Sequence, residues 1–247
     1  MSFTLDTIQR GKSQRAPRIF LYATHGIGKS TFASKAPNPI FIKTEDGLGS
    51  IDTASFPLAT TSAEVMGAIG TLYQEDHDFQ TVVLDSADWS ENIFQKEIES
   101  KYEAKDLAYG KGALILADKW RTVLDGLSAL NYKKNMSVII IGHCEIKRYD
   151  SPECESFDRL QPKLQSRASA LVQEWADCVL FASFKTIVRK EDVGFNKQIA
   201  KAFTNGDRLL YTQETPAYLA KNRFGLPERM ALDWDTFSKH LSESRGA

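Results

Sequence analysis

The chain has 247 residues, 42% of them apolar, enough to bury one sizeable core, and α/β chains of this length are commonly a single domain. A net charge of −1 excludes a global basic field for nucleic acid, though not a local patch. Cys144, Cys154 and Cys178 form no CxxC pair, and no signal peptide or bilayer-length apolar run is read, so reduced thiols in a cytoplasmic protein are expected.

Residues 1–16 are polar and basic, with Arg10, Lys12 and Arg15, and read as a flexible arm, either a solvated tail or a partner contact. Residues 17–247 read as one domain. The apolar run Ile19-Phe20-Leu21-Tyr22 predicts a strand over Arg18–Ala23, followed at once by Ala23-Thr-His-Gly-Ile-Gly-Lys-Ser-Thr31 and a helix-compatible stretch. Strand, glycine-rich turn and helix in this order make a P-loop. His25, Gly26, Ile27, Gly28, Lys29, Ser30 and Thr31 would then cradle the phosphates of a nucleoside triphosphate, with Lys29 on the β/γ-phosphates and the Ser30 hydroxyl in a Mg²⁺ shell. Ala23 replaces the usual first glycine, which a strand end tolerates, because the tight backbone lies at Gly26 and Gly28.

Further strands are expected at Pro39–Lys43, Thr81–Asp85, Ser137–Ile141 and Asp177–Ala182, all continuous and apolar, as strands buried on both faces of a parallel sheet should be. Helices are expected at Ser62–Asp76, Glu91–Tyr102 and Ala113–Tyr132, the last with a core stripe of Leu116, Trp120, Val123, Leu124, Leu127 and Leu130. After Ala182, short runs at Phe184–Arg189, Gln198–Phe203 and Arg208–Thr212 are separated by Gly194 and Asn205-Gly206-Asp207. Asn-Gly between strand-like runs signals a hairpin, and the sheet is expected to continue antiparallel there. A closing helix over Asp233–Ser242 would be capped by Asp233.

Two acids stand at strand ends. Asp85 closes an apolar strand in the Walker B arrangement and would hold Mg²⁺ through a water. Glu45, in Lys43-Thr-Glu-Asp-Gly47, can face the loop across a nucleotide and orient an attacking water, or else simply cap the next segment. Gly142-His143 ends the fourth long strand; an imidazole there can donate a hydrogen bond to a phosphate oxygen, or be bonded to a nearby carbonyl. A zinc site of His143, Cys144 and Cys154 fails on spacing. Residues 144–167 interleave Lys147, Arg148, Arg159, Lys163 and Arg167 with Tyr149 and Phe157, cations for a backbone and rings for stacking, diluted by Asp150, Glu153, Glu155 and Asp158. This stretch is expected to be a DNA-contacting loop or a plain solvated one, and Tyr109-Gly-Lys111-Gly112 a flexible second contact.

In their order, the P-loop, the Thr44-Glu45 element and the Walker B strand resemble the RecA/RadA recombinase core, and Lys221-Asn-Arg-Phe-Gly225 resembles a motif of bacterial RadA. Compact size points to the phage-type relatives classed as single-strand annealing or recombination ATPases. The resemblance implies a RecA-like P-loop NTPase fold, an ATP- and Mg²⁺-dependent homo-oligomer on single-stranded DNA, and a single-strand binding protein as helper. By resemblance Glu45 is the catalytic base, His143 the γ-phosphate sensor, and Lys221 and Arg223 the cations reaching a neighbour's nucleotide. Lys43 and His143 depart in type from the family's pattern. A RecA-core helicase or motor, a P-loop small-molecule kinase and a non-hydrolysing ATP-binding module are the rival expectations.

Overall fold

The computed structural model describes residues 15–192 and 198–246, with 4, 5, 8 and 11, the side chains of 187–192 and 198–202 excepted. Most of the basic arm, including Arg10 and Lys12, and the turn expected at Gly194 lie outside the described residues. In chain order the elements are β1 (Arg18–Ala23), α1 (Lys29–Ser34), β2 (Pro39–Lys43), β3 (Ala54–Ser55), α2 (Ser62–Gln74), β4 (Thr81–Asp85), α3 (Ala87–Lys101), α4 (Ala104–Leu107) and α5 (Lys111–Lys134). They continue as β5 (Ser137–Tyr149), β6 (Phe157–Pro162), α6 (Ser166–Trp175), β7 (Cys178–Asp192), β8 (Gln198–Tyr211), β9 (Lys221–Asn222), β10 (Arg229–Ala231) and α7 (Trp234–Arg245).

The strands join in the order β10-β8-β7-β1-β5-β4-β2-β3, with β6 paired to β5 and β9 to β7. From β7 through β3 every neighbour is parallel, and β8, β10, β6 and β9 add antiparallel. The expected α/β architecture, a mostly parallel sheet between helices with an antiparallel C-terminal extension, is the one observed.

Both faces of the sheet are covered, which is why its central strands alternate nothing and read as unbroken apolar runs. Phe20, Tyr22, Val82, Leu84, Val138 and Ile140 point to one face, packed under α2, α3, α5 and α6. Ile19, Leu21, Val83, Ile139, Ile141 and Leu180 point to the other, against Phe32 of α1 and Trp234 and Phe237 of α7. The α5 stripe falls where its spacing puts it, in the first of these cores. Its Trp120 is fully buried and donates from Nε1 to Glu91 Oε2 at 2.9 Å, so Glu91 ties α3 to α5 while Oε1 accepts from the Gln165 amide at 2.6 Å.

Three local expectations are corrected. The stretch 144–167 is no loop: β5 runs on past Ile141 to Tyr149 and turns back as β6, with Tyr149 opposite Phe157 and their rings 5.3 Å apart. The Asn205-Gly206 pair is no hairpin turn. Residues on both sides of it pair with β7, Phe184 facing Arg208 and Thr186 facing Thr204, so Asn205-Gly206-Asp207 is a bulge opposite Lys185. Gly206 supplies the φ of +86° that the bulge needs, and Asn205 Oδ1 accepts from the Asp207 amide at 3.2 Å. Tyr109–Gly112 is ordered into the start of α5, where Gly110 takes a φ of +83° as its N-cap.

Trp120→Ala should cost about 3–5 kcal/mol, through the cavity and the lost partner of buried Glu91. Denaturant unfolding at neutral pH measures it; a loss under about 1 kcal/mol would mean this stripe is not the core it looks to be.

Candidate functional site

β1 is the switch point of the sheet: β5 lies on one side of it and β7 on the other, and crevices form outside the carboxyl ends of such strands. Ala23 and Asp85 stand at such ends, and Ala23 is in register with His143 of β5 and Ala182 of β7, where the parallel pairing stops. Ala23 is fully buried, so the methyl group in place of glycine is accommodated. The loop then turns through Gly26 at φ +73° and Gly28 at φ +104°, and fully buried Ile27 pins it between them. A Cβ at Gly28 would stand 2.9 Å from Arg208 Nη1.

Lys29 opens α1 with 6% exposure, and its Nζ donates to the Thr24 carbonyl at 2.9 Å. Burial pulls its pKa below the ordinary lysine range, against the pull of Asp85, Glu45 and Asp88. Ser30 Oγ donates to Asp85 Oδ2 at 2.7 Å, while Asp85 Oδ1 is buried without a partner. Burial pushes the Asp85 carboxyl up to about 6, against the Ser30 hydrogen bond. A buried oxygen left unmet beside a serine hydroxyl is a donor set of the hard kind that Mg²⁺ takes. Among the described residues no group of three or more His, Cys, Asp or Glu forms a metal cage.

Glu45 lies across the cavity on the β2–β4 side and is half-buried, its Oε2 accepting from Ser86 Oγ at 3.2 Å. Thr44 fixes it there: the Thr44 amide donates to the Asp85 carbonyl at 2.7 Å, and its Oγ1 donates to the Ser86 carbonyl at 2.9 Å. His143 projects from β5 with Nδ1 3.0 Å from both oxygens of Asp88, whose Oδ1 also accepts the His143 amide at 3.1 Å. A carboxylate only accepts, so Nδ1 carries the proton, and among the described residues Nε2 has no partner. Although burial raises it, the bonds from His143 hold the Asp88 carboxyl below its ordinary range.

Gly26, Lys29, Ser30, Glu45, His143 and Arg208 thus line one cavity of about 420 Å³. His25, Gly28 and Thr31 line it too, while Ile27 packs beneath. Sequence reasoning missed Asp88 and Arg208. Asp88 was legible in hindsight, since Ser86 as N-cap and Asp88 in the first turn start the helix at Ala87, four residues before the start expected at Glu91. Arg208 carried no local signal, because the β7–β8 pairing alone brings it there.

Lys221 and Arg223 are not in this cavity. β9 pairs with the first residues of β7, at the opposite end of the sheet. Lys221 Nζ donates to the carbonyls of Gln173, Glu174 and Ala176 at 2.7–3.0 Å, which caps the C-terminus of α6 and uses all three of its donors. Its expected reach into a neighbouring site is therefore corrected. Arg223 is half-exposed and touches Asp177 at 3.3 Å, a carboxylate already gripped by Arg18 at 2.9 Å.

The expected DNA residues separate likewise. Arg148, Lys163, Arg167 and Lys111 are exposed. Lys147 is half-buried, bonded to the Leu164 carbonyl at 3.2 Å and paired with Glu145 at 2.9 Å. Arg159 is 5% exposed, donating to Glu214 and the Thr215 carbonyl with Tyr149 stacked on it. A guanidinium so enclosed is a structural strut, and the DNA contact expected of it is corrected. Tyr149 retains 37% exposure, and Phe157 backs it.

A glycine-rich loop after a buried strand, its lysine opening a helix and a serine bonded to the acid of a second strand define a P-loop NTPase. A family model described as an AAA domain, AAA_24, matches residues 15–224, and the chain belongs to that family. No curated protein matches the chain. Among solved structures it is similar to the crystal structure of the RadB recombinase, at 17% identity and a TM-score of 0.43, over 77% of this chain and 88% of that one. Among the described residues, no helix is long and apolar enough to cross a membrane.

Asp85 yields a pH prediction. Its folded pKa of about 6 exceeds the ordinary value of 3.8, so as pH rises the unfolded chain gives up this proton first. Stability is therefore lost from roughly pH 4 to 6 and stays lost above. Asp85→Asn should melt a few degrees above the parent at pH 7.5, without nucleotide or metal, and the gap should close towards pH 4. Thermal melts across that range decide it; a gap that does not change with pH would remove the assignment.

Proposed function

We propose that this chain is a RecA-like ATPase that binds single-stranded DNA and supports annealing or strand exchange, hydrolysing ATP with Mg²⁺ where two copies meet. One observation carries the reading: Lys29, Ser30, Asp85 and Glu45 converge at one end of the sheet, while Arg223 stands half-exposed at the other. A cation out of reach of its own cavity is available to a second copy's.

In this reading Lys29 neutralises the phosphate chain and the loop amides seat it. Ser30 and Asp85 would hold Mg²⁺, which when bound draws charge from the phosphate oxygens. Glu45, held by Ser86 Oγ, orients the attacking water. His143, its Nδ1 proton committed to Asp88, offers Nε2 to the terminal phosphate, and donates there only as the imidazolium. Arg223 of the adjoining copy stabilises charge on the transferring group, an effect of roughly 10³–10⁵ in rate for arginines so used.

One continuous strand joins the cavity to the proposed DNA contacts. β5 runs unbroken from the sheet through His143 to Arg148 and Tyr149, and the Lys163 amide donates to the His143 carbonyl at 2.8 Å. His143 and the exposed Arg148 thus share one strand, Lys163 is bonded to it, Arg167 lies beyond on α6, and Lys111 is the more remote candidate. A phage-type annealing role in the host cytoplasm, with a single-strand binding protein as helper, belongs to the same proposal and rests on the motif resemblance.

The test is ATP turnover with and without single-stranded DNA, with particle mass measured in parallel. Turnover should rise with DNA and with assembly; a fully active monomer would overturn the shared site. Glu45→Gln should bind ATP but lose turnover by at least about 10²-fold, and Arg223→Ala likewise. Mixing the two should restore some activity, because one interface in the mixture pairs an intact Glu45 with an intact Arg223. DNA affinity should fall with salt at a logarithmic slope of about −0.7 per phosphate neutralised, shallower by about one such increment in Arg148→Ala. Salt-independent binding would remove the DNA assignment.

A further inference from the structure

We infer that Arg208 is a nucleotide-phosphate ligand supplied by the chain to its own cavity, aimed there by the bulge in β8. The inference rests on the reading of that cavity as a nucleotide site. Its position, its direction and its lack of a carboxylate partner among the described residues carry it. Arg208 lines the cavity with Lys29, Ser30 and His143, and its Nη1 lies 2.9 Å from where a Cβ on Gly28 would stand, directly over the phosphate loop.

Its direction follows from the strand period. Leu210 is fully buried against the face that holds Ile27 and Phe32, and a residue two positions earlier on a strand points the same way. Arg208 is therefore committed to the P-loop side by the burial of Leu210. The bulge sets where along the strand that occurs: Arg208 is the first residue to resume pairing with β7 after Asn205-Gly206-Asp207. Bulges of this kind re-aim side chains beside functional sites.

Arg208 is also an exposed cation. Among the described residues no carboxylate pairs with it. Adjacent Asp207 is taken up instead by Lys185 at 3.6 Å and by Asn205 Nδ2 at 2.7 Å. Lys29, by contrast, already rests on the Thr24 carbonyl. An unpaired guanidinium over a phosphate cradle presents a planar fork of donors matched to phosphate oxygens.

The test is a binding titration of the full chain with a non-hydrolysable ATP analogue, ADP and adenosine, in Mg²⁺ buffer. Arg208→Ala should lose about 10- to 100-fold in affinity for the phosphate-bearing ligands, the range for a hydrogen bond to a charged group, with adenosine unaffected. Arg208→Lys should recover part of that loss, since it keeps the charge but not the fork. The unfolding midpoint should stay at the parent's, because the side chain supports no contact in the core. If the parent and Arg208→Ala bind the analogue equally while Lys29→Ala fails to bind, the inference falls and the nucleotide site stands. If the parent binds neither analogue nor ADP, both fall together.

Discussion

The arrangement depends on one constraint: β1 is hydrogen-bonded on both edges and covered on both faces. A strand so enclosed must be apolar along its whole length, and it must deliver its last residue to the same level as the neighbours that pair with it. Ala23, His143 and Ala182 are held abreast by this ladder, and Lys43 with Asp85 by the next. The site is a consequence of the parallel ladders stopping at one level. The polar groups that follow these ends have no choice but to meet.

What they meet in is an unfavourable environment for charge. Among the described residues Asp85 has one buried oxygen without a partner, and burial lowers the pKa of Lys29. Burying such groups destabilises the empty protein, and a ligand that supplies the missing charge recovers that cost. Thr44, Ser86 and Ser90 form a hydrogen-bonded knot beneath the acids and keep them from swinging out to solvent. The site is held open in a high-energy arrangement by neighbours that are themselves fully satisfied.

Much of this was legible in the sequence, for a physical reason. The strands β1, β2 and β4 run between sharp polar stops, and the P-loop glycines sit where positive φ is needed, so local signal and tertiary structure agree. Legibility failed where long-range pairing overrode local chemistry. Asn205-Gly206 has the composition of a hairpin turn, yet both flanks find β7 and the pair becomes a bulge. The stretch after His143 looks like a charged loop because its apolar residues are few. Ile146 is exposed, and the hairpin is held instead by the Tyr149–Phe157 ring pair and by the Leu160 amide on the Ala217 carbonyl. Arg159 shows the same limit from the other side: a cation in a basic-aromatic stretch reads as a ligand contact until Glu214, distant in sequence, is found beside it. Arg208 became visible only once Leu210 was seen to be buried.

The lysine of the Lys221–Gly225 motif has a consequence of its own. By holding three carbonyls of α6, it welds the start of β9 to the end of a packed helix, and the Arg223 amide adds a bond to the Asp177 carbonyl at 3.2 Å. The arginine two positions on therefore projects from a backbone with little freedom left. The two basic residues of the motif divide the labour: Lys221 anchors the segment, while Arg223 keeps a half-exposed guanidinium beside Asp177.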